Sequence, residues 1–366
     1  MISPFLSLYT LRIGGDEFIV GLVYAVFTLS TLASRIPLAR FSTIFGGGVM
    51  MVLGHAASAI GVLLYSLSQS PYHLFLGSAV RGLGFSLYHP SALSMTVGED
   101  AVESRRFTGI ILTAPPMGMM LGPTFGALML EKLGFAGLFY AAALVSFLGI
   151  APTWVMAGRG ETAKVATDGS PVKKTEQRGG VLNKVVLSVM LVRLGLSYSA
   201  ATIIVFLPVL LKREMSLGSF EIGALFSVAA FVNMLARPLS GYLSSKMGEA
   251  KPIYLAITLM SLAATMLPTS IPPLIWAGII SYGLSMGLFI PSSVLLISRT
   301  VPPELRTLSL AYVTAMIDLG SALGSFGSGA IASLMGINAA FASALLIIIS
   351  TSLVSATLCR KRSPEL

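Results

Sequence analysis

The sequence predicts an all-α membrane protein built from two similar halves, each a bundle of six membrane-crossing helices. Three observations carry this. Hydrophobic residues make up 55% of the 366 and charged residues only 11%, and apolar runs near twenty residues recur along the chain, each long enough to cross a hydrocarbon core as a helix. The apolar sequence breaks at one long polar stretch, 158–184 (GRGETAKVATDGSPVKKTEQRGGVLNK), too poor in apolar side chains to offset the entropy of ordering it, and so expected to be a flexible linker. The sequence before that stretch also resembles the sequence after it.

Taken in order, a partial span at about 2–11 precedes spans at 18–41, 46–68, 72–97, 107–130 and 134–157. After the linker come 185–211, 219–244, 251–270, 272–298, 306–334 and 337–358. The expected organisation is a first bundle over 1–157, the linker, and a second bundle over 185–366.

The net charge of +9 raises the question of nucleic acid, and its placement answers it. With the linker on the cytoplasmic side, that side collects all Lys and Arg except Arg12, Lys132, Lys212 and Arg213 in the opposite loops and Arg81 and Arg193 within spans. This is the positive-inside bias of a multi-pass membrane protein. The expected setting is a prokaryotic cell membrane, with the linker and the tail around Arg360, Lys361 and Arg362 cytoplasmic, a single chain sufficient for function, and no nucleic-acid partner. One cysteine, Cys359, permits no disulfide or cysteine metal cluster within the chain.

The repeat has a fixed offset. Arg35-Ile-Pro-Leu-Ala-Arg-Phe-Ser-Thr-Ile-Phe-Gly46, moved 202 positions, meets Arg237-Pro-Leu-Ser-Gly-Tyr-Leu-Ser-Ser-Lys-Met-Gly248. The same shift carries Gly21 to Gly223, Gly118 to Gly320 and Gly122 to Gly324. One residue less carries Pro90 to Pro291 and Glu103 to Glu304. A parallel repeat of six spans is a transporter pattern, two bundles facing each other across a central site. The repeat also exposes a shortfall: a long apolar run leads up to Pro208, but only three residues precede the matching Pro4. The expectation is a first helix lacking its cytoplasmic half, in a truncated or mis-started chain. Met1-Ile-Ser-Pro has neither the basic start nor the cleavage site of a signal peptide.

With these halves and a glycine-containing loop after the second and eighth spans, the whole chain resembles the major facilitator superfamily. That family's loop, Gly-x-Leu-x-Asp-Arg-x-Gly-Arg-Arg, is degenerate in the first half, where Ala39, Phe41 and Gly46 hold matching places and Thr43 replaces the acid. The second copy keeps Gly241, Leu243, Lys246 and Gly248, with Ser245 for the acid. Arg81-Gly-Leu-Gly84 is similar to the family's membrane-embedded arginine motif. Gly109, Gly118, Gly122, Pro123 and Gly126 match Gly-x8-Gly-x3-Gly-Pro-x2-Gly, a fifth-span motif associated with export antiporters, with Ala127 at the final glycine. The resemblance implies that spans one, four, seven and ten line a cavity.

Ionisable groups at membrane depth are costly and are functional candidates by default. Here they are Arg81 and His89 in the fourth span, His55 in the third, Arg193 in the seventh and Asp318 in the eleventh. A carboxylic acid in the place of Asp318 can hold its proton while dry and release it as water enters, which would couple transport to a proton gradient. The alternative is a helix contact. Arg81 and Arg193 stay charged and would hold an anion or an acid, or bind backbone carbonyls, and Arg193 lies near enough to the cytoplasmic end to snorkel. His89-Pro90 suggests a kink with a satisfied ring, and His55 suggests packing.

Gly118, Gly122 and Gly126, with Gly320 and Gly324, recur every four residues and let helices approach closely. They are expected where the bundles rock. Tyr88, Tyr198, Phe206, Tyr282 and Phe289 are candidate cavity walls for apolar ligands, with Met117, Met119 and Met120 near the gate. At the cytoplasmic ends, Glu103 or Glu304 is expected to meet Arg35 or Arg237 as a latch. Gly283-Leu-Ser-Met-Gly287 matches a hydrolase elbow but lies inside an apolar helix without the required turn or partners. No metal, triad or phosphate-binding pattern supports an enzyme, and no cofactor is expected. The sequence therefore predicts a secondary transporter of a small solute, proton-coupled export first and uptake of an organic solute or anion second. A transporter-like sensor without flux is the alternative from another class.

Overall fold

The computed structural model describes residues 1–94, 101–159 and 183–360. Before the linker lie α1 (Ser3–Arg12), α2 (Glu17–Phe45), α3 (Gly47–Ser66), α4 (His73–Ser94), α5 (Ala101–Leu148) and α6 (Ile150–Arg159). After it come α7 (Lys184–Glu214), α8 (Ser219–Met247), α9 (Ala250–Met266), α10 (Pro272–Thr300), α11 (Pro303–Met335) and α12 (Ile337–Arg360). Among the described residues, nine helical stretches are long and apolar enough to cross a membrane. Helix is the physical outcome because a chain in hydrocarbon must satisfy its own backbone polar groups.

The helix ends follow the predicted spans closely, with one difference. The fifth and sixth spans form a continuous helical stretch, α5, divided by Gly134 at φ 69° and ψ −171°. The predicted sixth span then breaks again at Gly149, ahead of α6. Gly134 has a counterpart 202 positions on: Gly336, at φ 89°, separates α11 from α12. Gly46 at φ 80° and Gly248 at φ 81° close α2 and α8 in the same way. Left-handed turns of this kind favour glycine because it has no Cβ to clash, so these two pairs fix the same chain reversals in both halves.

Packing repeats as well. On the α4–α2 contact, a methyl at Gly82 would come within 2.5 Å of the Phe27 carbonyl. On the α10–α8 contact, one at Gly283 would come within 2.5 Å of the Ala229 carbonyl. Small hydroxyls tie the same helices together: Ser30 donates to the Ala79 carbonyl at 2.8 Å, and Ser240 donates to the Leu288 carbonyl at 2.8 Å. In lipid such contacts carry much of the association, since apolar side chains gain little by leaving lipid for one another.

The two halves meet along α2–α11 and α5–α8. Near the helix ends away from the linker, here called the far side, a methyl on Gly21 would come within 2.8 Å of the Gly329 Cα. A methyl on Gly223 would come within 2.7 Å of the Pro123 carbonyl. These are the same contact in its two repeat-related forms. Thr124 and Ser227 share a 2.7 Å hydrogen bond beside it, Glu131 accepts from the Phe220 amide at 2.9 Å, and Arg213 pairs with Glu17. The core helix is α7, whose apolar window is 89% buried inside the protein, against 22% for α12.

Candidate transport site between the halves

Arg35 and Asp318 meet at the α2–α11 boundary, with Arg35 Nη2 2.7 Å from Asp318 Oδ2. The helix rise from Gly21 to Arg35 is about 21 Å and from Asp318 to Gly329 about 16 Å, so the pair lies well inside the far-side contacts. The Asp318 side chain is 9% exposed and that of Arg35 26%. The approach is ionic rather than an aligned hydrogen bond, and Arg35 Nε is buried without an acceptor.

The repeat places no second copy of this pair. Moving Arg35 by 202 positions gives Arg237, but moving Asp318 back gives Pro116. Arg237 instead turns to Asn233 on its own helix, Nε to Oδ1 at 3.3 Å. Among the described residues, one of the two symmetric seams carries an ion pair and the other does not.

Four more predicted residues, Arg193, Tyr282, Phe289 and His89, gather at this seam. Arg193 on α7 lies within electrostatic reach of Asp318 and of Tyr282 on α10. Its Cζ is 5.4 Å from the centre of the Phe289 ring, a cation–π placement. It is 7% exposed, and its Nη1 is buried without a hydrogen-bond acceptor. The expected snorkelling does not occur, because burial of α7 removes the route to the surface. His89 on α4 stacks on Phe85 at 5.3 Å and lies within electrostatic reach of Arg35. Five helices, α2, α4, α7, α10 and α11, therefore contribute to one polar cluster.

The other predicted residues lie elsewhere. Arg81 packs over Phe27 at 4.7 Å, inside the first half. Tyr88 packs at a tilt against His55, ring centres 4.6 Å apart, again within that half. Tyr198 points to α12, its hydroxyl 3.2 Å from Ser343, and Phe206 is fully buried core. Met117 and Met119 are exposed.

The glycine expectation is corrected in the same way. A methyl on Gly320 would meet the Leu194 carbonyl at 2.6 Å, and one on Gly324 the Tyr198 carbonyl at 2.5 Å. Both glycines therefore seat α11 on α7 of its own half. Gly122 and Gly126 face the Met1 backbone at 2.9 and 2.7 Å, within the first half, and Gly118 and Gly241 have open space around them. Of the motif's described residues, Pro123 and Ala127 lie at the boundary between halves, both against Gly223. Gly109 and the Glu103 and Glu304 side chains lie outside the described surroundings. The expected latch through Glu103 or Glu304 therefore lies outside the described residues; among those described, Arg35 meets Asp318 and Arg237 meets Asn233.

Sequence reasoning missed that Arg35 and Asp318 meet, and it missed Gly329. The available signal for the first was the repeat itself: an acid on α11 opposite an arginine on α2, with proline at the corresponding place on α5.

A family model described as Major Facilitator Superfamily matches residues 1–268 and 185–366. The chain is 24% identical to Multidrug resistance protein MdtG of Salmonella choleraesuis across 99% of this chain and 92% of that protein. It is 29% identical to Inner membrane transport protein YajR of Escherichia coli over 43% of this chain, a match that spans only 35% of YajR. Among solved structures, nucleoside transporter NupG superposes with a TM-score of 0.76 at 14% identity, covering 99% of this chain and 96% of NupG, a likeness of fold. With two repeated sets of helices, a polar cluster between them and a match along the whole sequence, this chain is a membrane transporter that belongs to the Major Facilitator Superfamily.

Proposed function

We propose that the protein exports a small solute by alternating access, driven by proton entry through Asp318. The observation that carries this is the Arg35–Asp318 pair, which joins the two halves well inside the far-side contacts and, among the described residues, on one seam only. Alternating access needs an element whose charge state biases one arrangement of the halves over the other. An ionised Asp318 holds Arg35 across the boundary, and a protonated Asp318 releases it. Arg35 itself and Arg193 are the cations facing the carboxylate, with His89 behind Arg35. The close far-side contacts at Gly21–Gly329 and Gly223–Pro123 are the ones that must part when the cluster opens to that side.

The export direction is supported by the fifth-span motif and by the end-to-end similarity to MdtG, a multidrug resistance protein by name. On this proposal the linker and C-terminus face the cytoplasm of a prokaryotic cell, and one chain suffices. The test is efflux of fluorescent lipophilic dyes from proteoliposomes under an imposed pH gradient. Wild-type protein should show gradient-driven flux and Asp318→Asn should lose it while still exchanging dye down its own gradient. Equal gradient-driven flux in both would remove Asp318 from coupling.

A further inference from the structure

The Arg193 guanidinium has no acceptor for Nη1, although it is nine-tenths buried in α7 and faces α10 and α11. A buried charged donor without a partner is costly, and such groups are ordinarily retained where a partner arrives during function. Its nearest acid does not fill the role, because Asp318 is held by Arg35. Two guanidinium groups against one carboxylate leave the cluster with an excess positive charge. The Phe289 ring lies 5.4 Å from the guanidinium carbon, and Tyr282 lies on the same helix two turns away, within electrostatic reach. A ring on one side and an unmet donor on the other suit a planar organic group that ends in an anion.

The far-side groove lined by Arg12, Lys212 and Arg213 makes the contrast. There Arg12 packs over Phe135, Lys212 donates to the Leu217 carbonyl at 3.3 Å and Arg213 pairs with Glu17. Those cations are engaged, but Arg193 Nη1 is not.

We infer that Arg193 is the anchor for the substrate, and that the substrate class is an aromatic or apolar organic anion, its carboxylate, sulfonate or phosphate accepting from Nη1 and its body resting against Phe289 and Tyr282. This rests on the transport proposal and names its substrate.

The experiment is equilibrium binding of three probes of one shape to the full-length purified protein: 2-naphthalenesulfonate, neutral 2-naphthalenesulfonamide and 2-naphthylmethylammonium. The sulfonate should bind at least tenfold more tightly than the other two. Arg193→Gln should erase that preference, Arg193→Lys should keep part of it, and Asp318→Asn should leave it in place. Equal binding of the three probes, or no sulfonate binding, overturns the inference, and this holds even where Arg193→Gln fails to fold because wild-type protein carries that comparison. The two proposals fail separately. Arg193-dependent sulfonate binding without gradient-driven flux would retain the anchor and remove proton-coupled export. Gradient-driven dye flux that survives Arg193→Gln and needs Asp318 would retain export and remove the anchor.

Discussion

The Arg35–Asp318 pair makes an asymmetric prediction about stability. Removing one partner of a fully buried pair costs about 3–5 kcal/mol, and exposed pairs are worth about 0–1 kcal/mol. With side chains 9% and 26% exposed, this pair lies between those limits, and its two ends differ. Arg35→Gln strands a carboxylate that is almost dry, so the loss should be about 2–3 kcal/mol at neutral pH. Asp318→Asn strands a guanidinium a quarter exposed, which water can still reach, so the loss should be about 1 kcal/mol. The double variant should lose no more than Arg35→Gln alone, giving a coupling of about 1–2 kcal/mol in the cycle. Equilibrium unfolding in mixed micelles with increasing SDS measures all four proteins. Repeating it in acid supplies the worked sign: the stranded carboxylate of Arg35→Gln takes up a proton, so its deficit should shrink as pH falls, and that of Asp318→Asn should shrink as well, because the protonated acid of the wild-type protein also releases Arg35. Losses that simply add, or an Arg35→Gln deficit that is independent of pH, would refute the pairing.

The boundary contacts give further expectations. In a Cys359→Ser background, Thr124→Cys with Ser227→Cys should form a disulfide on oxidation, since the native oxygens are 2.7 Å apart. That bond should block transport until it is reduced, and failure to form it would contradict the α5–α8 contact. Gly21→Val would push a side chain into the Gly329 backbone, so it should open the far side, measured as faster labelling of an introduced Ser325→Cys; unchanged labelling would show that the seam is not closed there. Tyr198→Phe loses a 3.2 Å hydrogen bond to Ser343 and should cost roughly 0.6 kcal/mol, a typical value inside membranes, with transport intact. A large loss of flux would return Tyr198 to the cavity wall. Ser292 bridges Ser240 at 2.7 Å and Ser244 at 3.1 Å between α10 and α8, so Ser292→Ala should lower the thermal midpoint of the purified protein more than Ser245→Ala does, because the Ser245 hydroxyl bonds only to the Tyr242 carbonyl on its own helix. Equal midpoints would show that the inter-helix hydroxyls carry no stability.

By itself the sequence determined the helices, their membrane setting, the two-part repeat and the pool of ionisable residues. Each of these depends on a property that is local or periodic along the chain. Apolar run length decides what crosses lipid, and a constant 202-residue shift carries Gly46 to Gly248 and Gly134 to Gly336 with the same left-handed turns. Only the tertiary structure decided partners. Whether Gly320 faces its own half or the other depends on how far α11 is rotated about its axis, and four-residue spacing identifies a face without saying what lies against it. Arg35 and Asp318 meet because α2 and α11, almost the whole chain apart, lie side by side from Gly21–Gly329 inward. Arg193 lost its path to the surface because α7 is enclosed on nearly every side. Rotation and enclosure are set jointly by all the packed helices, so they emerge only when the halves are assembled.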